Sequence, residues 1–153
     1  MSSTATDDRT RAVEAVRAIA RAARLLERAS DEVSLPHYRV LSAIASGDER
    51  ASRIAERLAL GKPTVSTAVD ALCHRGLLVR AGQEGDQRVV TLRLTPEGRA
   101  VLERVETNMI GQMDELLART PDGPRMMEAL VWLGAAIEEV RAERAAERHQ
   151  GPR

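Results

Sequence analysis

The chain has 153 residues, 43% of them apolar, which suits one folded unit with a real core. Its apolar residues are almost wholly Ala, Leu, Val and Ile, with one Trp, one Tyr and no Phe, so the stacking platforms used on RNA and single-stranded DNA are missing. The formal net charge of zero is unevenly spread: Arg50–Arg93 holds eight basic and four acidic side chains, whereas Glu97–Arg148 reverses the balance to roughly −4.

In chain order, Val13, Val16, Ile19, Ala23 and Leu26 recur at spacings of three and four between arginines, which predicts an amphipathic helix over Asp7–Arg28. Ser34 suits the cap of a second helix, with Pro36 in its first turn, Tyr38, Leu41, Ile44 and Ala45 facing inward, and Gly47-Asp48 ending it. A short third helix is expected from Ser52, as cap, to Leu58, with Ile54, Ala55 and Leu58 inward. The turn Ala59-Leu60-Gly61 leads to a fourth helix over Lys62–His74, with Pro63 in its first turn, Val65, Ala68, Val69 and Leu72 inward, and Gly76 as its stop.

Leu77–Arg80, the polar turn Ala81–Gln87 and Arg88–Leu94 read as a β-hairpin, because Val90, Leu92 and Leu94 alternate with Val89, Thr91 and Arg93. Thr95 and Pro96 then open a long fifth helix whose stripe includes Val101, Leu102, Val105, Met109, Met113, Leu116 and Leu117, ending near Arg119-Thr120. After a turn at Pro121–Pro124, Arg125–Arg148 forms a sixth helix with Met127, Leu130, Leu133, Ile137 and Val140 on one face. The expected fold is mainly α with a small β-hairpin wing, an α+β winged helix-turn-helix flanked by N- and C-terminal helices.

Cys73, the single cysteine, cannot form an internal disulfide and reads as a half-buried structural thiol rather than a redox sensor. His37, His74 and His149 fall on three elements without paired ligand spacing, so no metal and no cofactor are expected. No activated nucleophile, phosphate-cradling loop or acid–base pair is evident, and an enzyme is not expected. Because no segment approaches the roughly 20 apolar residues of a membrane span, and Met1–Asp8 is unlike a secretory leader, a cytoplasmic protein is the expectation.

Helix, short turn and helix form a DNA-binding pattern when the second helix is exposed. Opposite its apolar stripe, that helix carries Lys62, Thr64, Ser66, Thr67 and Asp70: the hydroxyls can bond base edges or phosphates, and Lys62 can neutralise a phosphate near the helix start. An ordinary solvated face would have the same composition. In an extended segment Asp86 and Arg88 leave on one face and can pair, and an Arg held in this way suits a narrow minor groove, although a surface ion pair alone would look identical.

Within Ser34–Val105, the run RIAERLALGKPTVSTAVDAL, the following RGLLVR, the triplet Asp86-Gln87-Arg88 and LTPEGRAVL resemble, in that order, the MarR family of winged-helix transcription regulators. The resemblance implies one MarR-like domain over 1–153, a DNA-binding lobe at 34–95 and dimerisation helices at 8–31 and 97–148. It implies a homodimer, a repressor associated with the nucleoid, whose two lobes enter successive major grooves of a pseudo-palindromic duplex. It assigns the minor-groove contact to Arg88 with Asp86 holding it; Arg53, Arg75 and Arg80 are secondary candidates for phosphate contacts. A small-molecule effector pocket between the outer helices and the DNA lobe would make His37, Tyr38, Met109, Met113 and Trp132 candidate lining residues, core packing being the alternative use for them. Ala81, Gln87, Thr67 and Ala71 stand where the family often has basic residues, which predicts a shallow salt dependence of DNA binding. The competing reading is a winged-helix dimer that serves as an interaction or ligand-binding module without DNA binding.

Overall fold

The computed structural model describes residues 2–47, 50–83 and 86–150, with side chains at 7–47, 50–82, 91–144, 146 and 147. The element order is α1 (Ser2–Arg28), α2 (Leu35–Ala45), α3 (Ala51–Leu58), α4 (Lys62–His74), β1 (Leu78–Gln83), β2 (Asp86–Leu94), α5 (Pro96–Leu117) and α6 (Gly123–Gln150). The expected class, mainly helical with a small β-hairpin, is the one observed.

The helix boundaries follow local chemistry. Pro36, Pro63 and Pro96 each stand in a first turn, where a missing N–H costs no intrahelical bond. Thr95 caps α5 by accepting the Gly98 N–H at 2.9 Å and donates its own hydroxyl to the Gly76 carbonyl at 2.7 Å. Gly76, at φ +71°, ends α4 in a Schellman turn: its N–H reaches the Cys73 carbonyl at 3.0 Å and the Leu77 N–H reaches that of Leu72 at 3.0 Å.

Four sequence expectations are corrected. Ser52 lies inside α3, whose cap position is Arg50, and Ser34 holds the α2 cap position without a side-chain bond. Residues Ala81 to Gln83, expected in the hairpin turn, belong to β1, and the antiparallel register runs from Leu78 opposite Leu94 to Gly82 opposite Val90, with an irregularity before Gln83. Helix α1 begins at Ser2, five residues before Asp7. Helix α6 begins at Gly123 and takes in Pro124, because Asp122 supplies the cap: its carboxylate accepts the Arg125 N–H at 3.1 Å and its carbonyl the Met126 N–H at 3.0 Å.

The core joins α2, α3, α4, the hairpin and the first half of α5. Leu41, Ile54, Leu72, Leu78, Val40, Val65, Val69 and Val105 are its largest fully buried side chains. Helices α1 and α6 contribute little to it. Val13, Val16 and Ile19 on α1, and Val131, Trp132, Leu133, Ile137 and Val140 on α6, remain exposed.

Candidate nucleic-acid interface

Helix α4 is held on the lobe by Val65, Ala68, Val69 and Leu72, all buried, and this leaves Lys62, Thr64, Ser66, Thr67 and Asp70 exposed on its other side. The face expected to meet DNA is thus free of packing duty. Thr67 spends its hydroxyl proton on the Pro63 carbonyl at 3.0 Å, so toward an outside partner it offers an acceptor. The α3–α4 turn passes through Ala59 at φ +51°, with the Leu60 N–H returning to the Ala55 carbonyl at 3.0 Å.

Arg80 pairs with Asp70. In the hairpin Arg80 stands opposite Leu92, two residues from the buried Leu78, so its stem runs along the packed face and its guanidinium reaches α4. The pair clamps the base of the wing to the recognition helix, and the Asp70 hydrogen bond raises the Arg80 pKa. The two groups were expected to face DNA separately; they face each other.

Arg75 turns elsewhere. Its guanidinium donates to the Glu32 carbonyl at 2.7 Å, in the segment joining α1 to α2. The Glu32 carboxylate is gripped in turn by Arg104 of α5, whose Nε donates at 3.0 and 3.3 Å and whose Nη2 donates at 2.8 Å. Arg104 also reaches Glu97 at 3.3 Å. Hydrogen bonding to Arg104 lowers the Glu32 pKa and, with Glu97, raises that of Arg104. Glu32, Glu97 and Arg104 were not anticipated: Glu32 and Arg104 are 72 residues apart, and only the seven-residue spacing of Glu97 and Arg104 on one helix face hinted at a pair.

Arg53 is exposed on α3. Asp86 and Arg88 belong to β2, with Asp86 opposite Gln83, but their side chains lie outside the described residues. The five residues proposed for an effector pocket differ in burial. His37 and Tyr38 are half-buried on α2, Met109 belongs to the core, Met113 is half-buried farther along α5, and Trp132 is 60% exposed on α6. Burial, then repulsion by Arg75, lowers the His37 pKa; burial, then the Glu106 charge, raises that of Tyr38. None of the five lines the cavity of about 540 Å³ between α1 and α5, whose walls include Leu25, Arg28, Thr107, Asn108, Gln112 and Glu115. Among the described residues no cluster of His, Cys, Asp or Glu could hold a metal ion, and no helix is long and apolar enough to cross a membrane.

A sequence profile of the MarR family matches residues 31–89, the span from Asp31 through the recognition helix into β2. No curated protein matches the chain in sequence. Among solved structures, the transcriptional regulator PcaV from Streptomyces coelicolor, in complex with its natural ligand, is 27% identical, with 81% of this chain and 89% of that one covered and a TM-score of 0.64. The transcriptional repressor CouR, bound to a 23-mer DNA duplex, is 26% identical over 82% of this chain and 89% of its own, at a TM-score of 0.69. A further MarR family transcription regulator shares the fold over 94% of this chain and 97% of its own, at 19% identity and a TM-score of 0.69. By profile over residues 31–89 and by fold along nearly its whole length, the chain is similar to the MarR family of winged helix-turn-helix transcription regulators.

Proposed function

We propose that the chain is a homodimeric repressor, not an enzyme, that binds a pseudo-palindromic duplex site and is released by a small organic effector. The observation that carries this reading is the outward face of α4. Five polar side chains stand there without packing roles, on a helix clamped to the wing base through Asp70 and Arg80. Lys62 and Ser66 are free to approach phosphates and base edges, and Thr67 can accept from a base amino group. Arg53 adds a phosphate contact, and Arg88, at the far end of β2, a minor-groove contact.

The dimer is supported by the outer helices. Val16 at 67%, Val131 at 63% and Trp132 at 60% exposure are too apolar to face water on a stable monomer, and a second copy pairing α1, α6 and the end of α5 would cover them. That CouR was solved on duplex DNA and PcaV with its natural ligand supports both halves of the reading.

The test is selection of bound sequences from random duplex DNA at low salt, run in parallel with Arg88→Ala. The expected outcome is an inverted repeat with half-sites about one helical turn apart, bound more weakly by the variant on all sequences and with a salt slope lower by about 1. A folded dimer that enriches nothing would replace this reading with the interaction-module one.

A further inference from the structure

We infer that Thr67 and Asp70 are the specificity-determining pair of α4 and that together they select cytosine on the DNA strand they face, an assignment that rests on the DNA-binding reading above. At roughly 100° per residue, Val65, Ala68, Val69 and Leu72 fill one side of α4, and the centre of the opposite, exposed side falls on Pro63, Thr67, Asp70 and His74. Lys62, Thr64 and Ser66 flank it. Pro63 has no polar side-chain atom, and His74 stands in the last turn, away from the N-terminal part that such helices lay against base edges. The reading position is left to Thr67 and Asp70, which lie one turn apart on one face, with about 5–6 Å between Cβ atoms.

Toward an outside partner both side chains only accept. Thr67 Oγ1 donates its proton to the Pro63 carbonyl at 3.0 Å, and the carboxylate that Arg80 holds has no proton to give. Arg80 Nη2 engages Oδ1 of Asp70; this fixes the carboxylate, balances its charge beside a polyanion and leaves Oδ2 as an acceptor. In the major groove guanine presents two acceptors, thymine an acceptor beside its methyl group, and adenine an amino group beside the acceptor N7. Cytosine alone presents an amino donor with no acceptor of its own. Two neighbouring acceptors therefore meet a repelling atom on each of the first three edges and a bond on the fourth.

The test compares the sequences selected from random duplex DNA by the full chain, by Thr67→Val, which removes the acceptor, and by Thr67→Arg, which puts donors in its place. Thr67 is exposed, and circular dichroism verifies that both variants fold. Expected for the parent is a C·G pair at one fixed position of each half-site, whose replacement by any other pair weakens binding roughly tenfold. Thr67→Val should lose the preference at that position and keep it elsewhere. Thr67→Arg should exchange the pair for G·C, because a guanidinium bonds guanine N7 and O6 together. A parent site without a fixed cytosine, or the same site enriched by parent and both variants, would overturn this assignment and leave the DNA-binding reading standing. No enrichment by the folded parent would sink both.

Discussion

Gly98→Ala tests the junction that joins wing, recognition helix and α5. A Cβ on Gly98 would stand 2.0 Å from the Leu77 carbonyl oxygen, 2.9 Å from its carbon and 3.3 Å from its Cα, all backbone atoms. Ordinary contact requires α5 and Leu77 to part by more than an ångström. Leu77 cannot yield easily, since its N–H closes the Schellman turn on Leu72 and its carbonyl accepts the Thr95 N–H at 3.1 Å. Overpacking of this kind costs about 1–3 kcal/mol, and a stretched buried hydrogen bond about 1–3 kcal/mol more. Against that, alanine gains at most about 1 kcal/mol of helix propensity. The expected net loss is roughly 2–4 kcal/mol in urea unfolding followed by circular dichroism at fixed protein concentration, with an unchanged denaturant slope. A loss below about 0.5 kcal/mol would show that the junction relaxes freely and that the glycine is not required there.

Arg80→Gln should alter stability by less than about 1 kcal/mol, since both partners of the Asp70 pair are well exposed. It should weaken duplex binding at least about tenfold by leaving the Asp70 charge on the DNA face, with partial recovery in the Asp70→Asn, Arg80→Gln double variant; a double variant as weak as the single one would assign Arg80 to phosphate instead. Ala59→Gly should raise the unfolding free energy by about 1 kcal/mol, because a Cβ is strained at φ +51°; a destabilised variant would mean that the methyl packs. The depressed His37 pKa means that the unfolded chain takes up a proton near its ordinary 6.5 which the folded chain resists. Stability should therefore fall as pH drops below that value, with a shallower fall in His37→Asn, and equal slopes would place the pH dependence elsewhere.

What the sequence made legible was local. Thr95-Pro96-Glu97-Gly98 announces a helix start because cap, first turn and close approach involve adjacent residues, and the α4 stripe from Val65 to Leu72 separates buried from exposed by spacing alone. Arg75 shows where this stops. It was a candidate for a phosphate contact, yet its Nη2 donates to a carbonyl 43 residues away. Periodicity on α1 and α6 likewise indicated a face to be covered but not what covers it, so Val16 and Trp132 stand exposed on a single chain. Met109 was ambiguous for a related reason: it has the apolar character of a pocket wall and of a core residue alike, and only the packing of α5 shows that it joins the core.

The two unanticipated linkages have a joint consequence. Asp70 and Arg80 tie the middle of α4 to the wing, while Arg75 ties its C-terminus to Glu32, directly beyond α1. Arg104 holds the same Glu32 from α5, and through Glu97 it reaches back to the first turn beside Thr95. Exposed pairs of this kind add little stability singly, and none is needed to keep the core closed. Their geometric effect is larger. A displacement of α1 against α5 must either break the three-point grip on Glu32 or carry Arg75, and with it the recognition helix. In the proposed dimer, where α1 and α5 would meet the second copy, that linkage is a direct route by which the spacing of the outer helices sets the spacing of two recognition faces.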